Sequence, residues 1–232
     1  MIVFALIVLI ANIIQGITGF AGTILAMPFS LLTEGPGIAI PALNFFGLLA
    51  GILVVAKHWK DLDWKEFSKI ILCALPSMLA GIVIQKQMAS HAEVMYKMLG
   101  ILVIVIAVCG MKNIQFGKHR EWMILASGVV HGMYVCGGPL LTGYLTTRIH
   151  EKQKFRVTIS AVWILLNGML MISEARQGMW KAASIRATAL TTPFLVAGMF
   201  IGGRLAEKMS RETFMKITYI LLIIAGISLL VK

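Results

Sequence analysis

Apolar residues along this chain gather into long runs from which charge is almost absent. Such runs occupy 2–32, 38–56, 70–85, 98–117, 122–147, 157–173, 187–203 and 217–231. A helix rises about 1.5 Å per residue and a bilayer core is about 30 Å thick, so roughly 20 apolar residues make one crossing. The pattern predicts eight helical elements joined by short polar loops, an all-α polytopic membrane protein. Trp59, Trp64, Trp122 and Trp180 fall near run ends, where interfacial aromatics collect. The opening residues Met1-Ile-Val-Phe-Ala-Leu-Ile carry no basic stretch and no small-residue cleavage site. The chain is therefore expected to start inside its first membrane element.

Two runs break the pattern. The run 122–147 holds Gly137-Gly138-Pro139 at its middle. Glycine costs about 1 kcal/mol and proline about 3 kcal/mol relative to alanine in a helix interior. Proline suits the first turn of a new helix, where its missing N–H is not needed. Two half-helices are expected, roughly 122–135 and 139–147. The run 2–32 is too long for one upright crossing and carries glycines at 16, 19 and 22. Irregular backbone at membrane depth survives only when buried in protein or lining a wet cavity.

The two broken runs correspond to each other. An offset of 116 residues (131 minus 15) sets Gln15-Gly16 against His131-Gly132, Gly22 against Gly138, and Trp64-Lys65 against Trp180-Lys181. With one more residue, Gly51 meets Gly168, and the stretch from Pro76 to Gly81 meets that from Pro193 to Gly198. The expected organisation is two four-element repeats, 1–116 and 117–232, forming one integral membrane domain.

Charge decides how the repeats are oriented. If all eight elements cross, the 21 lysines and arginines split eleven to ten between the two faces. If the two broken runs enter and leave on one side, the split becomes 15 to 6. Basic residues concentrate on the cytoplasmic side. The hairpin arrangement is therefore preferred. It leaves three crossings per half, so the two repeats are inverted relative to each other.

The formal net charge of +11 is spread in these loop clusters, and only 13% of residues are charged. That excludes a nucleic-acid-binding face and leaves the lipid bilayer as the first partner. Cys73, Cys109 and Cys136 all lie in apolar runs, and no Cys/His spacing suits a metal. There is no Walker pattern, Ser/Lys dyad or intramembrane His/carboxylate set, so neither an enzyme nor a cofactor is expected.

The motifs Gly16-Ile-Thr-Gly-Phe-Ala-Gly-Thr-Ile-Leu-Ala-Met-Pro28 and Gly132-Met-Tyr-Val-Cys-Gly-Gly-Pro-Leu-Leu141 resemble those of the sulfite exporter TauE/SafE family of bacterial membrane transporters. Gly198-Met-Phe-Ile-Gly-Gly-Arg-Leu-Ala206, followed by a last apolar helix, looks like that family too. The resemblance implies transport of small sulfur-containing or organic anions, commonly outward, across a bacterial plasma membrane. Val135 stands where the family pattern has a glycine, and His131 and Tyr134 are bulkier than that pattern suggests.

The residues support a compatible chemistry. Inverted repeats with discontinuous helices place a substrate near the midplane, between the two breaks. Each half-helix N-terminus offers free N–H groups and about half a positive charge. Gly22 and Gly138 let an anion approach the backbone, and Thr18, Thr23 and Thr142 add hydroxyl donors. The candidate site is Gly16, Thr18, Gly19, Gly22, Thr23, His131, Gly132, Tyr134, Gly137, Gly138, Pro139 and Thr142. The alternative for the glycines is close helix packing. His131 titrates near neutrality and is the candidate for proton coupling or for pairing with the anion. No acidic residue lies inside any run, which disfavours a metal or sodium substrate. Arg148, Arg156 and Arg204 sit at run ends, where long basic side chains snorkel to headgroups. Asn44 and Asn167 are expected to form interhelical hydrogen bonds. Expected partners are thus a small anion, protons as coupling ion and a second copy of the chain. The competing functions are an anion channel and a non-transporting membrane subunit.

Overall fold

The structure is a computed structural model that describes residues 1–87, 91–112 and 121–231. The expected repeat boundary at 116/117 and the counted residues Lys118, Arg120 and Lys232 lie outside the described residues. The described chain is helical throughout, without strands. Its helices are α1 (Ile2–Thr18), α2 (Gly22–Glu34), α3 (Pro36–His58), α4 (Trp64–Gln87), α5 (Ala92–Met111), α6 (Trp122–Tyr134), α7 (Gly138–Leu145), α8 (Lys152–Arg176), α9 (Ala182–Lys208) and α10 (Arg211–Val231).

Both broken runs are split where their glycines fall. α1 ends at Thr18 and α2 begins at Gly22; α6 ends at Tyr134 and α7 begins at Gly138. Each of these boundaries recurs after 116 residues. Among the described residues, four helices are long and apolar enough to cross a membrane: α3 with its 3-10 extension to Asp61, α4, α8 and α9. Most helices outrun their apolar stretches. Lysine, arginine and glutamate are good helix formers, so charge at a headgroup does not end a helix.

Each broken run folds back on itself. The N-terminal ammonium of Met1 lies 3.2 Å from Glu34 Oε1, so the start of α1 meets the end of α2. Arg148 Nη2 lies 3.0 Å from Glu121 Oε1, so the start of α6 meets the residue just beyond α7. The second hairpin opens beside the α3–α4 loop, since Lys69 Nζ also reaches Glu121 at 3.0 Å. Lys154 joins Asp63 at 3.1 Å and Lys57 joins Glu207 at 3.2 Å, which brings the α7–α8 and α9–α10 loops to the same end. The first hairpin opens where α3 begins, at the other end of that helix.

Electrostatics at the shared end follow from these contacts. Glu121 is held down to about 2, first by its hydrogen bond from Lys69. Asp63 caps α4 by accepting the Glu66 N–H at 3.1 Å, and that bond is the leading cause of its lowered pKa.

The helix pairings repeat across the halves. α1 packs chiefly on α9, and α6 on α4. α3 packs against α8 and α5 against α10, while α2 touches α10 and α7 touches α5. Exchanging α1–α5 for α6–α10 maps every one of these pairings onto another or onto itself. Burial separates the centre from the rim. In the most apolar stretches of α8 and α3, 67% and 56% of residues are buried, against 22% and 39% in α4 and α9. The α3–α8 pair is therefore the inner layer. Leu72, Leu79, Leu190 and Phe200 on the outer helices are exposed apolar residues, as a lipid-facing surface requires.

Candidate functional site

The two breaks are held by side chains from the helices that lead into them. At the first, Gly19 takes the left-handed conformation (φ 83) that closes α1 and donates its N–H to Gln15 O at 2.7 Å. Thr18 Oγ1 accepts the N–H groups of Phe20 (3.3 Å) and Ala21 (3.1 Å). Gln15 Oε1 accepts the Gly22 N–H at 2.8 Å, and its Nε2 donates to Gly19 O at 3.1 Å. At the second break, Val135 N–H donates to His131 O at 2.8 Å and Ser127 Oγ donates to Gly137 O at 2.8 Å. His131 Nδ1 accepts the Gly137 N–H at 3.5 Å, and Nε2 lies 3.0 Å from Asn167 Oδ1. These partners assign the proton to Nε2, which donates to Asn167. Gln15 and His131, repeat mates by sequence, thus do the same work: each caps the break that follows it.

Between the breaks lies a cavity. It is lined by Gln15, Phe20, Thr23, Ile24, Gly47, His131, Val135, Cys136, Gly138, Trp163 and Asn167. About 20 Å³ is open to the centre of a water molecule, room for one or two waters. A smaller void of about 10 Å³, bordered by Gly22, shares Gln15, Thr23 and Gly47 with it. The two breaks touch here, because a Cβ on Gly138 would stand 3.1 Å from Phe20 Cδ2.

Several residues around this space carry unpaired donors. Among the described residues, the first-turn N–H groups of Thr23 and Ile24 in α2, and of Gly138 in α7, have no acceptor. Trp163 is 4% exposed, and its indole Nε1–H has no partner. The indole stacks on His131, ring centroids 5.0 Å apart and planes 28° from parallel. An unpaired buried donor costs about 1–3 kcal/mol, so this cavity is short of an acceptor.

Of the residues expected from sequence, Thr23, His131 and Gly138 line the cavity, and Gly22 lines the void beside it. Thr18, Gly19 and Gly137 lie in the breaks, engaged in their hydrogen bonds. Pro139 is in the first turn of α7 and Tyr134 is the last residue of α6. Thr142 is buried on α7 away from the cavity, with Oγ1 unpartnered. Gly16 and Gly132 face neighbouring helices. A Cβ on Gly16 would meet Met199 O on α9 at 2.9 Å, and one on Gly132 would collide with Met78 O on α4. The packing alternative describes these two positions.

Three features differ from the sequence expectation. Arg156 does not snorkel: it is buried, and its Nη2 donates to Gly16 O at 2.5 Å. The final carbonyls of α1 stop at the break, so they need donors that only another helix can bring. Glu174 is a buried acid inside α8, because that helix continues past the apolar run that ends at 173. Trp163 is a cavity residue that no sequence motif marks, and Asn167, expected in an interhelical hydrogen bond, pairs with His131 and lines the cavity as well. Trp163 was visible as the one tryptophan in the middle of an apolar run, 116 residues after Gly47, which lines the same cavity.

The family model described as "Sulfite exporter TauE/SafE" matches residues 4–229 of the chain. A curated protein of Cupriavidus necator, described as "Probable sulfite/organosulfonate exporter TauE", is 22% identical over 228 residues. The match spans 93% of this chain and 88% of that protein. No solved structure matches the chain.

Proposed function

We propose, from the premise that this chain belongs to the sulfite exporter TauE/SafE family, that the cavity between its two breaks is the binding site of a carrier for small oxyanions such as sulfite and organosulfonates. The family makes the chain a membrane transporter of the exporter class. The observation that carries the site is that Trp163, whose Nε1–H has no partner, lines the same cavity as residues carrying the free N–H groups of two helix N-termini. Helix N-termini attract anions, and an oxyanion brings the acceptors that these donors lack. The relative from Cupriavidus necator is named for sulfite and organosulfonates, which are oxyanions of this kind.

The architecture supports alternating access between two inverted repeats in a bacterial inner membrane. One hairpin opens at each end of α3, and the helix pairings exchange between the halves. The loops counted as cytoplasmic by charge are those joined through Lys57, Asp63, Glu121 and Lys154.

The test is a thermal-shift titration of purified protein with ethanesulfonate and sulfite, since ligands that bind the folded state stabilise it. Trp163→Phe keeps the stacking on His131 and removes the N–H. A hydrogen bond to a charged group is worth about 1.5–3 kcal/mol, so affinity is expected to fall about tenfold or more. Equal affinity in wild type and variant removes Trp163 from the site. No stabilisation of the wild type by any oxyanion removes the site itself.

A further inference from the structure

We infer that Glu174 is a proton-binding site wired to the central cavity, and that it takes up and releases a proton in step with the anion held there. The inference rests on the carrier reading for its ligand, and on separate observations for its proton.

Glu174 is 5% exposed, two residues from the end of α8 and away from the capped breaks. Its Oε2 has no hydrogen-bond partner. Asn44 from α3 and Trp180 from the α8–α9 connection lie beside the carboxyl. Trp180 is held over this spot by an edge contact with Phe45, ring centroids 6.4 Å apart. No charged side chain from any element described here figures among the groups acting on the carboxyl. Arg176, the nearest basic residue on its own helix, is exposed to the outside of the bundle.

Asn44 is fully buried, and its Oδ1 also has no partner. Two buried acceptor oxygens, Glu174 Oε2 and Asn44 Oδ1, thus sit on side chains already in contact, with no donor between them. What is missing is one hydrogen. A proton on Glu174 forms an O–H that donates to Asn44 Oδ1, satisfies both atoms and removes an uncompensated buried charge. A sodium ion would need several more oxygen ligands than this pair supplies.

The pair is connected to the cavity. Asn44 Nδ2 donates to Asn167 O at 3.3 Å, and Asn167 Oδ1 accepts from His131 Nε2 at 3.0 Å. Asn167 and His131 line the cavity. Every member of this chain is at least nine-tenths buried. An anion in the cavity and an ionised Glu174 repel through a low-dielectric interior, so filling one site favours protonating the other. The step changes charge only: a proton from water joins Oε2 when the anion enters and leaves when the anion departs.

Infrared difference spectra of wild-type protein in lipid, recorded across pH, should show a protonated-carboxyl C=O band. The band should vanish in Glu174→Gln and persist, shifted, in Glu174→Asp. Ethanesulfonate stays ionised throughout, so protons taken up from a weakly buffered solution on adding it belong to the protein. Wild type and Glu174→Asp should take up protons, and Glu174→Gln should take up none while still being stabilised by the ligand. A carboxyl band unchanged in Glu174→Gln overturns the proposal, as does equal proton uptake by that variant. Loss of the wild-type band on adding sodium chloride, with potassium chloride inert, overturns it in favour of a sodium site. If ethanesulfonate stabilises neither protein while the band behaves as expected, the proton site stands and the sulfonate reading falls.

Discussion

Val135 closes α6 in the left-handed region, φ 58 and ψ 25, as Gly19 closes α1 116 residues earlier. A β-branched side chain is rarely found there, and such strain is worth about 1–3 kcal/mol. The strain sits on the wall of the candidate site, held by the Val135 N–H bond to His131. Deleting a buried valine side chain ordinarily costs on the order of 2 kcal/mol. At Val135 the relief of strain offsets that cost. Val135→Gly should change denaturation free energy by less than about 1 kcal/mol, whereas Val162→Gly, fully buried in regular helix, should lose about 3 kcal/mol. Equal losses in chemical denaturation would show that the backbone at 135 is relaxed. The oddity of a valine at this point was legible in the sequence motif. Its backbone conformation was not, because φ is set by the neighbours that force the turn.

At the scale of the element, the two breaks were legible because glycine and proline act locally. The seams between helices were not, because glycines that look alike along the chain face different things. Gly202 and Gly203 are adjacent on α9. A Cβ on Gly202 would collide with Ile13 O and stand 3.0 Å from Gly16 Cα on α1, while one on Gly203 would meet nothing within 4 Å. Gly202→Ala should lower the melting temperature through overpacking worth about 1–3 kcal/mol. Gly203→Ala should raise it, by up to about 1 kcal/mol of helix propensity. Matching effects in thermal denaturation would mean that α1 and α9 do not pack through this seam. Trp163 was hidden for a related reason: an aromatic residue inside an apolar run reads as core until its neighbours across the bundle are known.

For the whole molecule, the count of basic residues carries an expectation of topology, because loops of one charge sign collect at one membrane face. Single cysteines at Gly35 and His150, in an otherwise cysteine-free chain, should label from opposite sides of intact cells, with position 35 outside. Labelling of both from one side would discard the inverted hairpins. What charge could not convey is which helix meets which. α1 rests on α9, and its mate α6 rests on α4, so each half's leading helix is completed by the other half. That interlock has a consequence for how the chain is made. Synthesis runs from the amino terminus, so α1 enters the bilayer well before α9 exists. Until about residue 208 has been inserted, the Gly16 face of α1 must lie against lipid or an insertion factor. An early helix of this chain thus waits for a late one before its permanent neighbour is in place.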